Sequence, residues 1–393
     1  MRVAFVVQRY GEEVAGGAEA LCRLTARALA RAGDEVVVYT TTARDYVTWA
    51  PFYPEGRERD GGVVVERFGV EPPDPRLSGD LARRLSVRPD AALETRWARA
   101  QGPVSRPMLR TLRQAARRHE VVALWTYLYA TTQLAMPLVA GRAVLVPLAH
   151  DEPMLRFSLT RGIAALASGF AFLTPEERNL VDDVLGVGDR PSAVVGAGLD
   201  PLPRGDPERA RRRFGLPQRF ALYLGRVDAA KGVDALLGAH ARYRSCAGAG
   251  ALGLVLAGRA AGAHRLPSWA VATGFVDGAE KADLLAAAEV VVLPSPYESL
   301  SLVALEAWAS GRPTLAYARS AVLAGQTARS GGGLLYTGPA TYVRQLSRLA
   351  ADADLRGTLA AAGRRFAAAQ TWDACVRRWR ALLARVRAPL ARV

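Results

Sequence analysis

Short apolar runs recur along the chain, each followed by a turn and then a stretch with helical spacing. Val3 to Val7 is continuously apolar, which predicts a parallel strand buried on both faces. After Gly11, Gly16 and Gly17, residues Ala18 to Ala32 place Leu21, Leu24, Ala28 and Leu29 on one face, and Gly33 closes the helix. Glu35 to Thr41 is the next predicted strand. The same alternation returns at Val121–Trp125, Ala143–Leu148, Ala171–Leu173 and Ala193–Val195, and again at Phe220–Leu224, Leu252–Leu256, Ala272–Val276, Val290–Leu293 and Thr314–Tyr317. Helical stretches fill 339–369, and a last helix is predicted near Trp372–Val386. Alternation of this kind predicts an α/β protein with two Rossmann-like, doubly wound halves. The proline- and arginine-rich segment Pro201–Pro217 reads as a linker between them. The expected domains are therefore 1–200 and 201–370, with 371–393 as a terminal helix. Residues 43–118 read as less regular.

Length and composition narrow the picture. The chain has 393 residues, half of them hydrophobic, enough for two cores. Formal net charge is +15, which favours anionic partners. No zinc-finger spacing, RNA-binding aromatic motif or basic zipper supports nucleic acid as that partner. Lysine occurs only at Lys231 and Lys281, so every other basic residue is arginine. Cys22, Cys246 and Cys375 are far apart and odd in number, and predict a reduced, cytoplasmic protein with buried thiols. The uncharged run Val121–Gly141 carries Thr126, Thr131, Thr132, Gln133 and Pro137, and reads as strand, loop and helix rather than a membrane span. The start Met1–Val7 is too short to be a signal peptide.

Candidate chemistry concentrates in Pro294–Trp308. An apolar strand ends at a proline, Ser299 is a plausible N-cap, and the helix behind it is apolar nearly all round except for Glu306. The first turn of such a helix offers free N–H groups to phosphate oxygens. A carboxylate at position 306 is costly to bury unless something binds it. Gly225-Arg226 and Lys231-Gly232 follow the first strand of the second half, supplying a planar fork and a point charge for phosphate. No acidic cluster has a spacing suited to Mg²⁺ or Mn²⁺. In the first half, Gly16 and Gly17 either let backbone amides approach a phosphate or sugar, or merely permit a tight turn. His150 follows a buried strand at the edge where α/β ligands gather, and is either a ligand contact or a core-edge histidine hydrogen-bonded to backbone. From Arg76 to Arg118 eleven arginines face three acids, Asp80, Asp90 and Glu94, with Tyr46, Trp49, Phe52 and Tyr53 just before them. This is either a solvated helical face or a surface for an anionic acceptor or membrane.

These features together resemble the retaining nucleotide-sugar glycosyltransferases of family 4, which have the two-domain GT-B fold. Gly16-Gly17-Ala18-Glu19 resembles the family's glycine loop, His150-Asp151 its cleft histidine, Gly225-Arg226 with Lys231-Gly232 its diphosphate clamp, and Glu298 through Glu306 its paired-glutamate signature. The segment from Trp372 resembles the helix that crosses back onto the N-terminal domain. The resemblance implies that the first domain serves the acceptor and the second binds the donor. It gives Arg226 and Lys231 to the diphosphate. Glu298 and the backbone of Ser299 and Leu300 would hold the sugar and β-phosphate, and Glu306 the ribose. The main chain at Phe275 and Val276 would meet the base, and His150 would lie against the transferred sugar. The nucleotide sugar is a substrate, and neither cofactor nor metal is implied. The family's Asn-Gly-Val-Asp turn is replaced by Gly196-Ala197-Gly198-Leu199-Asp200, and Ser299 stands where a glycine is usual.

The expected function is transfer of a sugar from a UDP- or GDP-sugar, with retention, in polysaccharide, glycolipid or glycoconjugate synthesis. The acceptor, lipid-linked or saccharide, is not specified by the sequence. The expected setting is the cytoplasm, with peripheral contact at the inner face of the plasma membrane. A nucleotide-sugar 2-epimerase of the same fold and a non-catalytic nucleotide-sugar-binding protein are the competing readings. An epimerase needs no acceptor site, which the arginine-rich insertion disfavours.

Overall fold

The computed structural model describes residues 1–14, 16–260 and 266–387. The chain falls into two compact units, Met1–Gly198 with the segment from Trp372 onward, and Leu199–Thr371.

The first unit is built on an eight-stranded sheet. β1 (Arg2–Val6), α1 (Gly17–Arg31) and β2 (Glu35–Thr41) form a right-order βαβ opening. They are followed by β3 (Gly56–Asp60), β4 (Val63–Phe68), α2 (Pro75–Val87), α3 (Ala91–Gln101), α4 (Arg106–Ala115), β5 (Val121–Trp125), α5 (Ala130–Ala135) and β6 (Ala143–Val146). Next come α6 (Ser158–Leu166), β7 (Gly169–Phe172), α7 (Pro175–Leu185) and β8 (Ser192–Val194). The sheet order is β3-β4-β2-β1-β5-β6-β7-β8. Only β3 runs antiparallel, pairing with β4. β1, β5 and β6 are buried along their whole or nearly whole length, as continuous apolar strands under two helical layers must be.

Residues 43–118 are more regular than their composition suggests. They supply the β3–β4 hairpin and three capped helices. Asp74, Asp90 and Ser105 accept from Leu77 N, Leu93 N and Met108 N, each satisfying an orphan amide of a first turn. All eleven arginines from Arg76 to Arg118 are exposed.

The second unit contains α8 (Pro207–Phe214), β9 (Phe220–Leu224), α9 (Val233–Ala247), β10 (Gly253–Ala257), β11 (Ala270–Gly274), α10 (Gly278–Ala287), β12 (Val290–Leu293), α11 (Leu302–Ala309), β13 (Thr314–Tyr317), α12 (Ala321–Ser330), β14 (Gly333–Tyr336), α13 (Pro339–Ala351) and α14 (Ala353–Ala368). Its six strands are all parallel, in the order β11-β10-β9-β12-β13-β14. Counted within the unit this is 3-2-1-4-5-6, the dinucleotide-fold order, with its switch point between β9 and β12. Separate apolar layers cover the two faces. Leu222, Val255, Val291, Leu305 and Trp308 belong to one, and Tyr223, Leu254, Val292, Tyr342 and Leu346 to the other. Trp308 is fully buried and donates its indole N–H to Gly332 O at 2.9 Å, so its polar edge is satisfied.

The last helix, α15 (Trp372–Val386), belongs to the first unit. Cys375, Trp379, Leu382 and Leu383 are buried, and the Trp379 ring lies 5.8 Å from Phe5 and 6.1 Å from Trp125. Arg378 donates to Val195 O, and Arg380 to Asp34.

Two expectations need correction here. Pro201–Pro217 is not simply a linker, because Asp206 caps α8 and Arg209 pairs with Asp283 on α10 at 2.5 Å. Nor are all thiols buried: Cys22 and Cys375 are, while Cys246 is exposed on α9.

Candidate active site

At the switch point of the second sheet, the loops after β9 and β12 meet. β9 ends at Leu224. Asp228 then caps a single tight turn, its carboxylate accepting Lys231 N at 2.8 Å. Gly232 has φ +76, and a Cβ there would stand 2.5 Å from Pro294 O, so only glycine lets this turn rest on the end of β12. The result is that Lys231 Nζ donates to Glu298 Oε1 at 2.9 Å and to Ser295 Oγ at 3.4 Å. Arg226 leaves the same edge, its Nε 3.4 Å from Asp228 Oδ2, with the side chain substantially exposed. Below it, burial, reinforced by Asp228 and Glu298, pushes the Tyr223 phenol pKa far up, so that it stays a neutral donor to Arg226 O at 2.5 Å.

The helix behind the loop begins later than the sequence suggests. Ser301, not Ser299, is its N-cap, and its hydroxyl accepts Ala304 N. The amide of Ser301 is bound by Gln326 Oε1 at 3.0 Å. Ser299 and Leu300 therefore lie in the connecting loop, and their amides are not first-turn groups of α11. The helix is also less enclosed than expected: Leu302, Val303 and Glu306 are half-buried and Ala309 is exposed.

Glu306 has a partner that sequence reasoning missed. Lys281 on α10 reaches its Oε1 at 2.5 Å, with both side chains partly buried. Each of the two lysines in the chain thus pairs with one of the two glutamates at the ends of this motif. The rarity of lysine was the available signal, and it applied to Lys281 as much as to Lys231.

β11 ends at Gly274, so Phe275 and Val276 lie just beyond the strand rather than within it. Phe275 is 63% exposed, with the Arg259 guanidinium 4.9 Å from its ring centre, while Val276 packs against the core.

In the first unit, Gly16 and His150 sit beyond the carboxyl ends of β1 and β6, with β5 between those strands. Gly16 has an extended backbone that any residue could adopt, but a Cβ there would stand 2.1 Å from Glu19 Oε2. The space is taken by a buried ion pair: Arg9 Nη2 lies 2.5 Å from Glu19 Oε1, which also accepts Gln8 Nε2 at 2.7 Å. Gly17 opens α1, and nothing crowds it. His150 follows a strained corner, for Leu148 has φ 55, a conformation costly for a leucine. Glu177 on α7 holds that corner. It is fully buried, accepting Ala149 N at 2.8 Å and Leu173 N at 2.6 Å, and burial raises its pKa to about 7 against the pull of those amides. His150 Nδ1 lies 3.9 Å from Glu152 Oε1, and Tyr127 donates its hydroxyl to Glu152. Burial raises the Glu152 pKa, with Tyr127 opposing.

Residues 218–352 match the family model described as "Glycosyl transferases group 1". A D-inositol 3-phosphate glycosyltransferase of Salinispora arenicola is 37% identical over 187 residues, a match spanning 42% of this chain and 42% of that protein's length. One from Stackebrandtia nassauensis is 27% identical over 396 residues, covering 93% of this chain and 86% of the relative. Among solved structures, the sucrose-phosphate synthase of Thermosynechococcus elongatus superposes with a TM-score of 0.70 at 19% identity, covering 98% of each chain. Anabaena HepE in complex with UDP and glucose gives 0.70 at 17% identity, covering 98% of this chain and 99% of that one. The fold is that of the GT-B proteins. The match over residues 218–352 and the relatives' similarity support glycosyltransferase activity.

Proposed function

We propose that the chain is a retaining glycosyltransferase that moves a hexose from a nucleoside diphosphate donor to a hydroxyl acceptor. The observation that carries this is the meeting of Lys231 with Glu298 at the switch point of the second sheet, with Arg226 on the same edge. Ligands of such sheets bind at that point. Lys231 and Arg226 would neutralise the diphosphate as it leaves, so no metal is needed in this reading. Glu298 would accept hydroxyls of the sugar, with the Ser299 and Leu300 amides on the β-phosphate. Glu306, oriented by Lys281, would accept the ribose hydroxyls. Phe275 and Val276 would meet the base, and His150 the sugar being transferred.

The complexes of Anabaena HepE with UDP, glucose and UDP-glucose support a uridine nucleotide as the donor carrier. The relatives' names support a phosphorylated polyol or sugar as acceptor. The eleven exposed arginines between Arg76 and Arg118 favour an anionic acceptor, and peripheral contact with an anionic membrane. Among the described residues no helix is long and apolar enough to cross a membrane.

The test is a thermal-shift screen of UDP-, GDP- and ADP-sugars. A ligand at 100 times its Kd stabilises by about 2.7 kcal/mol. Proton NMR of the product made with the stabilising donor, with and without EDTA, then follows. Retained anomeric configuration and EDTA-resistant turnover are expected. Inverted product, or activity abolished by EDTA and restored by Mg²⁺, overturns the reading.

A further inference from the structure

The parallel sheet of the second unit has two edges, and the residues assigned to the donor use only the carboxyl one. At the other edge, where β9, β12 and β13 begin, a hollow of about 480 Å³ opens between α8, α10, α14 and the segments leading into those strands. Its charged lining is Arg211, Arg312, Arg356, Arg364 and Glu289.

The one carboxylate does not balance the four cations. Glu289 is engaged by Arg219 at 2.6 Å and Arg356 at 3.1 Å, and Arg211 is held by Glu208 at 2.5 Å. Arg312 and Arg364 form no ion pair among the described residues. Arg312 donates Nη1 to Ala288 O at 3.0 Å, but its buried Nε finds no acceptor among the described residues, nor does the buried Nε of Arg211. Gly311 makes this crowding feasible. It has φ +70, and a Cβ there would stand 2.4 Å from Arg364 Nη1, so the guanidinium of α14 lies across the backbone immediately before Arg312. Burial lowers the Arg312 pKa below its ordinary value; Glu289 opposes this and Arg364 adds to it. The carboxyl ends of α10 and α11 approach the hollow, but each offers only about half a negative charge. Collecting like charges with buried, unpaired donors is costly for the empty fold. Guanidinium forks match phosphate oxygens in pairs, which would use those donors and offset the repulsion.

We propose that this hollow is a second binding site, separate from the donor site, for a small soluble anion carrying one or two phosphates. Its volume lies within the range of small-molecule sites. The proposal is independent of the donor assignment, since it uses the opposite edge of the sheet. An occupant would touch the end of α10, the helix that carries Lys281.

The test uses inorganic pyrophosphate and thermal shift on the full chain carrying Lys231→Ala, which quiets the donor edge. NaCl at matched ionic strength is the control. Pyrophosphate should raise the melting temperature where NaCl does not. Adding Arg312→Gln and Arg364→Gln should weaken pyrophosphate at least tenfold. Without anion, those substitutions should leave the melting temperature unchanged or raise it, because they remove repulsion. Arg364→Gln alone, at an exposed helix position, should weaken pyrophosphate severalfold with an unchanged circular dichroism spectrum. Equal stabilisation in parent and variants, equal stabilisation by NaCl, or a lower melting temperature of the double variant without anion would each overturn the proposal.

Discussion

Lys231 and Glu298, 67 residues apart in the chain, meet at 2.9 Å where the first and fourth strands of the second sheet diverge. A lone glutamate at that edge would repel a diphosphate, and a lone lysine would have no fixed direction. Paired, the carboxylate fixes the ammonium on the side of the loop where phosphate would arrive. Arg226 adds its fork from the same strand end. Lys231→Ala and Arg226→Ala are each expected to lower kcat by about 10²–10³, the usual loss for one preorganised donor to developing charge. Steady-state turnover with the preferred nucleotide sugar is the measurement, and full activity in either variant contradicts the assignment.

The Lys281–Glu306 pair separates two roles. Glu306→Gln keeps the shape and loses the charge, so nucleotide binding should weaken by about 1.5–3 kcal/mol, the range for hydrogen bonds to charged groups. Lys281→Met leaves the carboxylate but removes its guide. Calorimetry should show nucleotide affinity reduced by roughly tenfold, about 1.4 kcal/mol, with acceptor KM little changed. Unchanged affinity in both variants would return the pair to a purely structural link between α10 and α11.

His150 is expected to act in the transition state rather than in nucleotide binding. His150→Ala should therefore lower kcat far more than it weakens free nucleoside diphosphate. Equal losses in the two measurements would point to collapse of the 148–150 corner instead.

That corner depends on Glu177, which gives a pH prediction with a definite sign. The folded-state pKa is raised from the ordinary 4.5 to about 7. Stability from this group is fully present below the unfolded value, and is lost as pH rises through about 7. The window is therefore about pH 4.5–7, and the whole effect is about 3 kcal/mol at most. Glu177→Gln cannot titrate, and one of its two polar atoms cannot accept an amide. Chemical denaturation at about pH 5 and about pH 8 should find the variant less stable at the lower pH but less sensitive to the change. The same pH sensitivity in both chains would rule out Glu177 as the titrating group.

Much of the architecture was legible because parallel strands buried on both faces are written as continuous apolar runs. β2, β5, β9, β12 and β13 match those runs residue for residue. The strand β3, Gly-Arg-Glu-Arg-Asp, was not legible: it is an exposed antiparallel edge, held by Arg67–Glu58 and Arg23–Asp60 pairs that sequence spacing does not reveal. The helix start failed for a similar reason. Ser299 and Ser301 are chemically equivalent as caps, and the choice depends on the loop path and on Gln326, far along the chain. Candidate site residues could be nominated from local motifs. The partners Lys281, on α10, and Glu177, on α7, belong to other elements, and only the tertiary fold brings them near.

The exposed arginines of the first unit give the last prediction. α2 buries Leu81 and Leu85 and turns Arg83, Arg84 and the 86% exposed Val87 outward, with Arg88 just beyond its end. Asp80 pairs with Arg83, so one of these charges is partly neutralised. A solvated face needs no more explanation than this. An anionic bilayer, however, would be attracted by about 1 kcal/mol per arginine near its surface, an effect that fades as salt shortens the Debye length. Flotation assays should therefore find the chain on vesicles containing phosphatidylglycerol but not on pure phosphatidylcholine. Replacing Arg83, Arg84 and Arg88 by alanine should reduce that binding by up to about 10²-fold, converting about 1 kcal/mol per side chain, and leave nucleotide affinity intact. Binding that ignores lipid charge, or survives both the triple substitution and high salt, would mean that α2 faces water alone and that its arginines serve solubility.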